Sequence, residues 1–171
     1  MVRLAAAFVG MALVACSPNG TSAQESAPAP VQTAETTGVS AAGLRLIDVT
    51  IVSGETRHTF VTELAASQEE QSKGMMFRTE MGDDEGMLFP SYTPQLRSFW
   101  MKNTPLPLDI IFIGPSNRIT NIEAGVPYSL DSVTSRGMSI AVLEIRGGLA
   151  EELGVGPGDL VEFEVPQDAS L

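Results

Sequence analysis

Apolar and polar side chains alternate through RLIDVTIV (Arg45 to Val52) and again through HTFVTELA (His58 to Ala65), with the turn SGET (Ser53 to Thr56) between them. A period of two puts one row of side chains on each face of a strand, so these runs predict two half-buried strands joined as a hairpin. Ser67-Gln68-Glu69-Glu70 follows. It is a capping box: the Ser67 hydroxyl accepts from the amide three residues on while Glu70 reaches back, and Gly74 closes the short helix. GMLF (Gly86 to Phe89), RSFWMK (Arg97 to Lys102), LDIIFI (Leu108 to Ile113), RITNIEA (Arg118 to Ala124) and MSIAVLEIR (Met138 to Arg146) read as further strands. LDIIFI is apolar at nearly every position, which predicts burial on both faces. LAEELG (Leu149 to Gly154) reads as one or two helical turns, and GPGDLVEFEV (Gly156 to Val165) as a tight turn and a last strand. About eight short strands against one or two short helices predict a mainly β (α+β) domain, either barrel-like or a folded-over mixed sheet.

The N-terminal pattern is different. Arg3 precedes the largely apolar, uncharged run from Leu4 to Ala15. That run is short of the ~20 residues a transmembrane helix needs and fits the apolar region of an export signal. It ends in Leu13-Val14-Ala15-Cys16, which resembles the lipobox of bacterial lipoproteins. The resemblance implies diacylglycerol on Cys16 and cleavage before it; the alternative is an ordinary signal peptide cut after Ala15. Ser17 after the cysteine implies, on the same resemblance, sorting to the periplasmic side of an outer membrane. A soluble periplasmic protein is the alternative. The expected organisation is a signal at 1–15, a lipidated cysteine and flexible tether at 16–43, one globular domain at 44–166 and a tail at 167–171. The tether rests on a Ser/Thr/Ala/Pro/Gly/Gln composition that has little to bury.

The chain has 171 residues, with 10 basic and 21 acidic side chains and a net charge of −11. Loss of Arg3 with the signal leaves nine basic residues, or −12. This argues against nucleic acid as a partner, because phosphate binding needs a cationic face. It also argues against a polybasic membrane patch, which leaves lipid on Cys16 as the membrane attachment.

The segments SKGMMFRTEM, EGMLF, SFWMKNTPLPLDIIFI, VLEIRGG and LGVGPGD, in that order, resemble the family called domain of unknown function 192, small exported bacterial and archaeal proteins. The resemblance spans about Val61 to Phe163. It implies a compact β-rich fold with one or two short helices and carries no activity, cofactor or partner with it.

Candidate chemistry centres on FWMKNTPLP. Two prolines in three residues stiffen the loop after Lys102 and Asn103. On a strand, Trp100 and Lys102 share a face, an indole beside an ammonium that suits a sugar ring or an anion; the alternative is a core tryptophan with Lys102 lying over it. Arg78, held by Met75, Met76 and Phe77, presents a fork to a carboxylate, with Asp109 and Glu144 as internal candidates because both interrupt apolar runs. The expectation is that Arg78, Trp100, Lys102, Asn103, Asp109 and Glu144 gather at one end of the sheet. His58 is the single histidine and Cys16 the single cysteine, which excludes an ordinary zinc site. Asp83-Asp84-Glu85 reads as a solvated turn, Gly154 to Gly158 as a turn, and the methionines as core filling. No metal or other cofactor is expected. The leading functional expectation is a non-catalytic module that binds a small polar or anionic ligand or a partner protein. The alternatives are an envelope saccharide or peptide hydrolase using Asp109 and Glu144, and a purely structural interaction domain.

Overall fold

The structure, a computed structural model, describes residues 38–169. The signal segment, Cys16, the tether up to residue 37 and the last two residues lie outside the described residues. The elements in chain order are β1 (Gly38–Val39), β2 (Arg45–Ser53), β3 (Thr56–Leu64), α1 (Gln68–Lys73), β4 (Glu85–Gln95), β5 (Ser98–Phe99), β6 (Leu108–Ile113), β7 (Ile119–Gly125), β8 (Val133–Thr134), β9 (Ser139–Arg146), α2 (Leu149–Leu153) and β10 (Leu160–Phe163). The fold is mainly β with two short helices, as the alternation predicts.

Seven strands run in the order β1-β2-β3-β4-β9-β6-β7, and β10 joins as an eighth by pairing with β2. The β3–β4 pair is parallel, and the other pairs are antiparallel. A parallel pair needs a crossover, and α1 lies on it. The sheet curls until β10 meets the start of β7: Arg118 and Leu160 form a bridge, and the Ile119 amide donates to the Asp159 carbonyl at 2.9 Å. No continuous ladder closes this seam, so the sheet is folded over without being a closed barrel. β5 and β8 form a separate two-residue ladder.

The capping box forms. Glu70 N donates to Ser67 Oγ at 3.2 Å and Ser67 N to Glu70 Oε2 at 2.7 Å. Gly74 closes α1 at φ 46°. Its ideal Cβ would stand 3.3 Å from the Phe89 ring, so a side chain there is strained by conformation and tight against the ring.

β6 is buried along its whole length, and its two faces enter two different cores. Ile111 and Ile113 join Val49, Ile51, Phe60, Leu143 and Ile145 on one side. Ile110 and Phe112 join Met87, Phe89, Met101 and Val142 on the other. Each such side chain contributes ~1.5–3 kcal/mol through burial, so the central strands β6 and β9 hold the domain from both sides. Contacts with the folded part reach before residue 44 at one end, where the Gly38 backbone pairs with Leu46, and past residue 166 at the other, where the Arg45 guanidinium binds the Asp168 carboxylate.

Candidate functional site

The face of β9 that carries Val142 also carries Glu144. Met87 lies opposite Glu144 across β4, and Ile110 lies opposite it across β6. Glu144 is therefore a carboxyl among apolar neighbours, 4% exposed. Among the described residues no hydrogen bond reaches it; the guanidinium charge of Arg97 does. Burial pushes its pKa up to about 8, and Arg97 offsets only part of that. Arg97 itself is held below the usual arginine range, first by burial. It lies 5.2 Å from the Phe99 ring centroid and donates to Gln71 Oε1 at 3.1 Å and to Ser91 Oγ.

The Glu144 carboxyl opens on a cavity of about 340 Å³ under α1. Gln68, Gln71, Ser72 and Lys73 of α1 form one wall; Phe89, Phe99, Trp100, Met75 and Met101 give it apolar surface; Arg97 and Glu144 are its charged groups. α1 has no buried residue. It roofs the cavity with polar side chains instead of resting an apolar stripe on the core.

Cation pairing sets the cavity mouth apart. Five arginines bind carboxylates through ion pairs, Arg45, Arg57, Arg78, Arg136 and Arg146, while Arg97 acts on Glu144 only through its field. Arg118 donates to the Gly158 carbonyl. The chain's lysines are Lys73 and Lys102, and among the described residues neither has an ion pair. Lys73 lines the cavity. Lys102 Nζ sits 5.1 Å over the Trp100 ring, and Trp100 lines the cavity in turn. In a chain of net charge −11, both unmatched ammonium groups lie at or beside one opening.

The structure separates the six expected site residues. Trp100 and Glu144 share the cavity. Trp100 and Lys102 do meet, but not through strand alternation: β5 ends at Phe99, and Met101 N bonds Ser129 O at 2.9 Å in a loop. Trp100 is half-exposed rather than core. Asn103 adopts φ 57°, accepts the Phe77 amide on its carbonyl at 2.8 Å, and turns its side chain toward Met76 Sδ at 3.9 Å. Arg78 pairs with Glu63, not with Asp109 or Glu144, because β3 brings Glu63 beside the 74–78 loop.

Asp109 is elsewhere. It lies opposite Ile145, one position out of phase with Glu144, so the two carboxyls leave opposite faces of the sheet. Both Asp109 oxygens are engaged: Gly148 N donates to Oδ1 at 2.9 Å and Ala150 N to Oδ2 at 2.8 Å. Gly148 is the N-cap of α2 and has no side chain to cap it, so β6 supplies the cap from the neighbouring strand. Asp109 and Glu144 therefore do not form an acid–base pair. Arg97, Gln71 and Lys73 were missed in the sequence. The available signal was an α1 whose residues, QEEQSK, contain no apolar side chain to bury.

The fold and cavity define a small curled-sheet domain with a carboxyl-floored pocket beneath a polar helix. The chain belongs to the DUF192 family, described as Uncharacterized ACR, which matches residues 49–163. It is similar to a protein of unknown function from Novosphingobium aromaticivorans DSM 12444, at 48% identity over 75% of this chain and 94% of that one, with a TM-score of 0.73. It is also similar to a putative transcription regulator from Sinorhizobium meliloti 1021, at 37% identity over 68% and 92% of the two chains, with a TM-score of 0.65. No curated protein matches.

Proposed function

We propose that the domain is a binding module whose cavity takes a small organic acid with an apolar body. The carrying observation is Glu144, a buried carboxyl facing an open cavity with no protein hydrogen bond to satisfy it. The carboxyl is open to the cavity rather than sealed in the core, so its hydrogen-bond partner is whatever fills the cavity, and the lining around it selects an organic ligand. With its pKa near 8, Glu144 is mostly neutral at neutral pH and donates one hydrogen bond. The charges left around the cavity are then Arg97 inside it and Lys73 at its wall, which favour an anion. Phe89, Phe99 and Trp100 receive the apolar body. The regulatory description of the S. meliloti relative is not carried over: a net charge of −11 and helices of six and five residues suit neither phosphate contact nor a groove-reading helix.

Thermal shift with a panel of small aliphatic and aromatic carboxylates and phosphates, set against neutral sugars, tests this reading. Acids with apolar bodies raise the melting temperature, and Lys73→Ala weakens them severalfold, as loss of a rim charge does. A ligand whose shift is indifferent to both Lys73→Ala and Glu144→Gln binds elsewhere and removes the proposal.

The lipobox-like Leu13-Val14-Ala15-Cys16 supports reading the chain as exported and anchored through diacylated Cys16 on the periplasmic side of an outer membrane. Two acyl chains suffice for stable anchoring. Cys16→Ser is expected to move the protein from the membrane to the soluble fraction, with a mass that lacks the diacylglyceryl group. Retention of wild-type mass and partition would rule the anchor out.

A further inference from the structure

Three loops are tied together by backbone hydrogen bonds beside the cavity mouth. Phe77 N donates to Asn103 O at 2.8 Å, Met101 N to Ser129 O at 2.9 Å and Tyr128 N to Thr104 O at 3.1 Å. They display Phe77, Trp100, Val126, Tyr128 and Leu130, each between 50% and 70% exposed. Phe77 and Tyr128 are held in the left-handed region at φ 66° and 62°, a conformation aromatic residues rarely adopt. A folded domain in water gains nothing by presenting such side chains on a braced platform.

The charge on this platform is the reverse of the chain's. Segments 74–78, 100–107 and 126–130 contain Arg78 and Lys102 and none of the 21 acidic residues. Arg78 is paired with Glu63, Lys102 is not paired, and Asp131 borders the face. The remainder of the chain carries all the acid. Aromatic side chains with a cation among them match the water–lipid boundary, where rings sit at headgroup level and ammonium groups meet phosphates.

We infer that this face docks on the lipid bilayer. The inference rests on the anchored reading above. Twenty-one residues separate Cys16 from Gly38, a span of at most about 75 Å even fully extended. An anchored domain therefore never leaves the neighbourhood of the membrane, and weak docking is enough to orient it. The cavity, whose wall includes Trp100, then lies next to the bilayer.

The chain supplies its own handle and reporter, because Cys16 is its one cysteine and Trp100 its one tryptophan. The chain beginning at Cys16 is coupled through that thiol to a maleimide headgroup lipid in phosphatidylethanolamine–phosphatidylcholine vesicles. Lipids brominated near the carbonyl end quench a ring that sits ~5–10 Å into the headgroup boundary. The expected result is a blue-shifted, quenched Trp100, with both effects lost in a Phe77→Asn, Tyr128→Asn double variant. Asparagine tolerates the left-handed conformation, so this variant keeps its fold; Leu130→Gln, at a position without positive φ, provides the same readout independently. Quenching no greater than that of the uncoupled chain, or quenching that survives these changes, overturns the inference. So does a Trp100 shift that follows protein concentration without lipid, which would assign the face to a second copy. Chemical coupling keeps this outcome separate from the cellular fate of Cys16, which the mass measurement decides.

Discussion

Replacing Glu144 by glutamine is expected to abolish a large pH dependence of stability. In the folded chain the Glu144 pKa is raised from 4.5 to about 8 by burial. Between those values the unfolded chain has released a proton that the folded chain keeps. Stability contributed by the neutral carboxyl is therefore fully present below pH 4.5, declines as pH rises and is lost once pH passes about 8. At 1.36 kcal/mol per unit the full change is on the order of 5 kcal/mol, and the group is too buried for solvent to screen much of it. Urea unfolding at pH 5 and at pH 8.5 measures the difference between wild type and Glu144→Gln. The variant is expected to gain several kcal/mol on the wild type over that interval. A difference that stays constant with pH would mean that Glu144 is ionised in the folded chain, and would remove the neutral donor on which the ligand reading relies.

Asp109→Ala is expected to lower stability by roughly 2–4 kcal/mol. The substitution leaves two amides, Gly148 N and Ala150 N, without the oxygens that now accept from them; the buried Ala150 donor costs ~1–3 kcal/mol, and loss of the part-buried Gly148 bond adds ~0.5–1.5 kcal/mol. Water cannot readily replace the carboxylate at Ala150 N, because Asp109 and Ala150 are both buried, whereas the exposed Gly148 can turn its amide to solvent. The turn cannot move away either. An ideal Cβ on Gly147 would already lie 2.9 Å from the Pro107 carbonyl carbon, so the backbones of this turn and of β6 touch. Equilibrium urea unfolding of the variant checks the figure. A loss below about 1 kcal/mol would mean that solvent reaches these amides after all.

These two carboxylates show what the sequence could and could not reveal. Both interrupt apolar runs, and both are buried as such interruptions require. Their partners were out of reach. The Asp109 partners are backbone amides about 40 positions later, with no side chain to advertise them. The side on which each carboxyl emerges depends on the β6–β9 register, which pairs Ile110 with Glu144. One residue of offset sends two similar groups into different cores. The β2–β3 hairpin, β6, β9 and the capping box were legible because each is written in a local period or a four-residue pattern. Arg97 was not, since its surroundings (Gln71, Ser91, Phe99, Glu144) come from α1, β4, β5 and β9. The parallel β3–β4 pair that places α1 over the cavity leaves no short-range mark at all. The Trp100–Lys102 contact was expected for a reason that does not hold: a loop, not a strand, brings the indole and the ammonium together.

β2 is flanked by β3 on one side and by β10 on the other, with Val49 opposite Phe163 and Val52 opposite Leu160. The first long strand is thus completed by the last described one. Until residues 160–163 are available, β2 keeps a bare edge and the core under it stays wet. Closing so long a loop is slow relative to local contacts. A chain that still lacks β10 cannot complete this edge, so its first hairpin stays open to other pairings until residues 160–163 arrive.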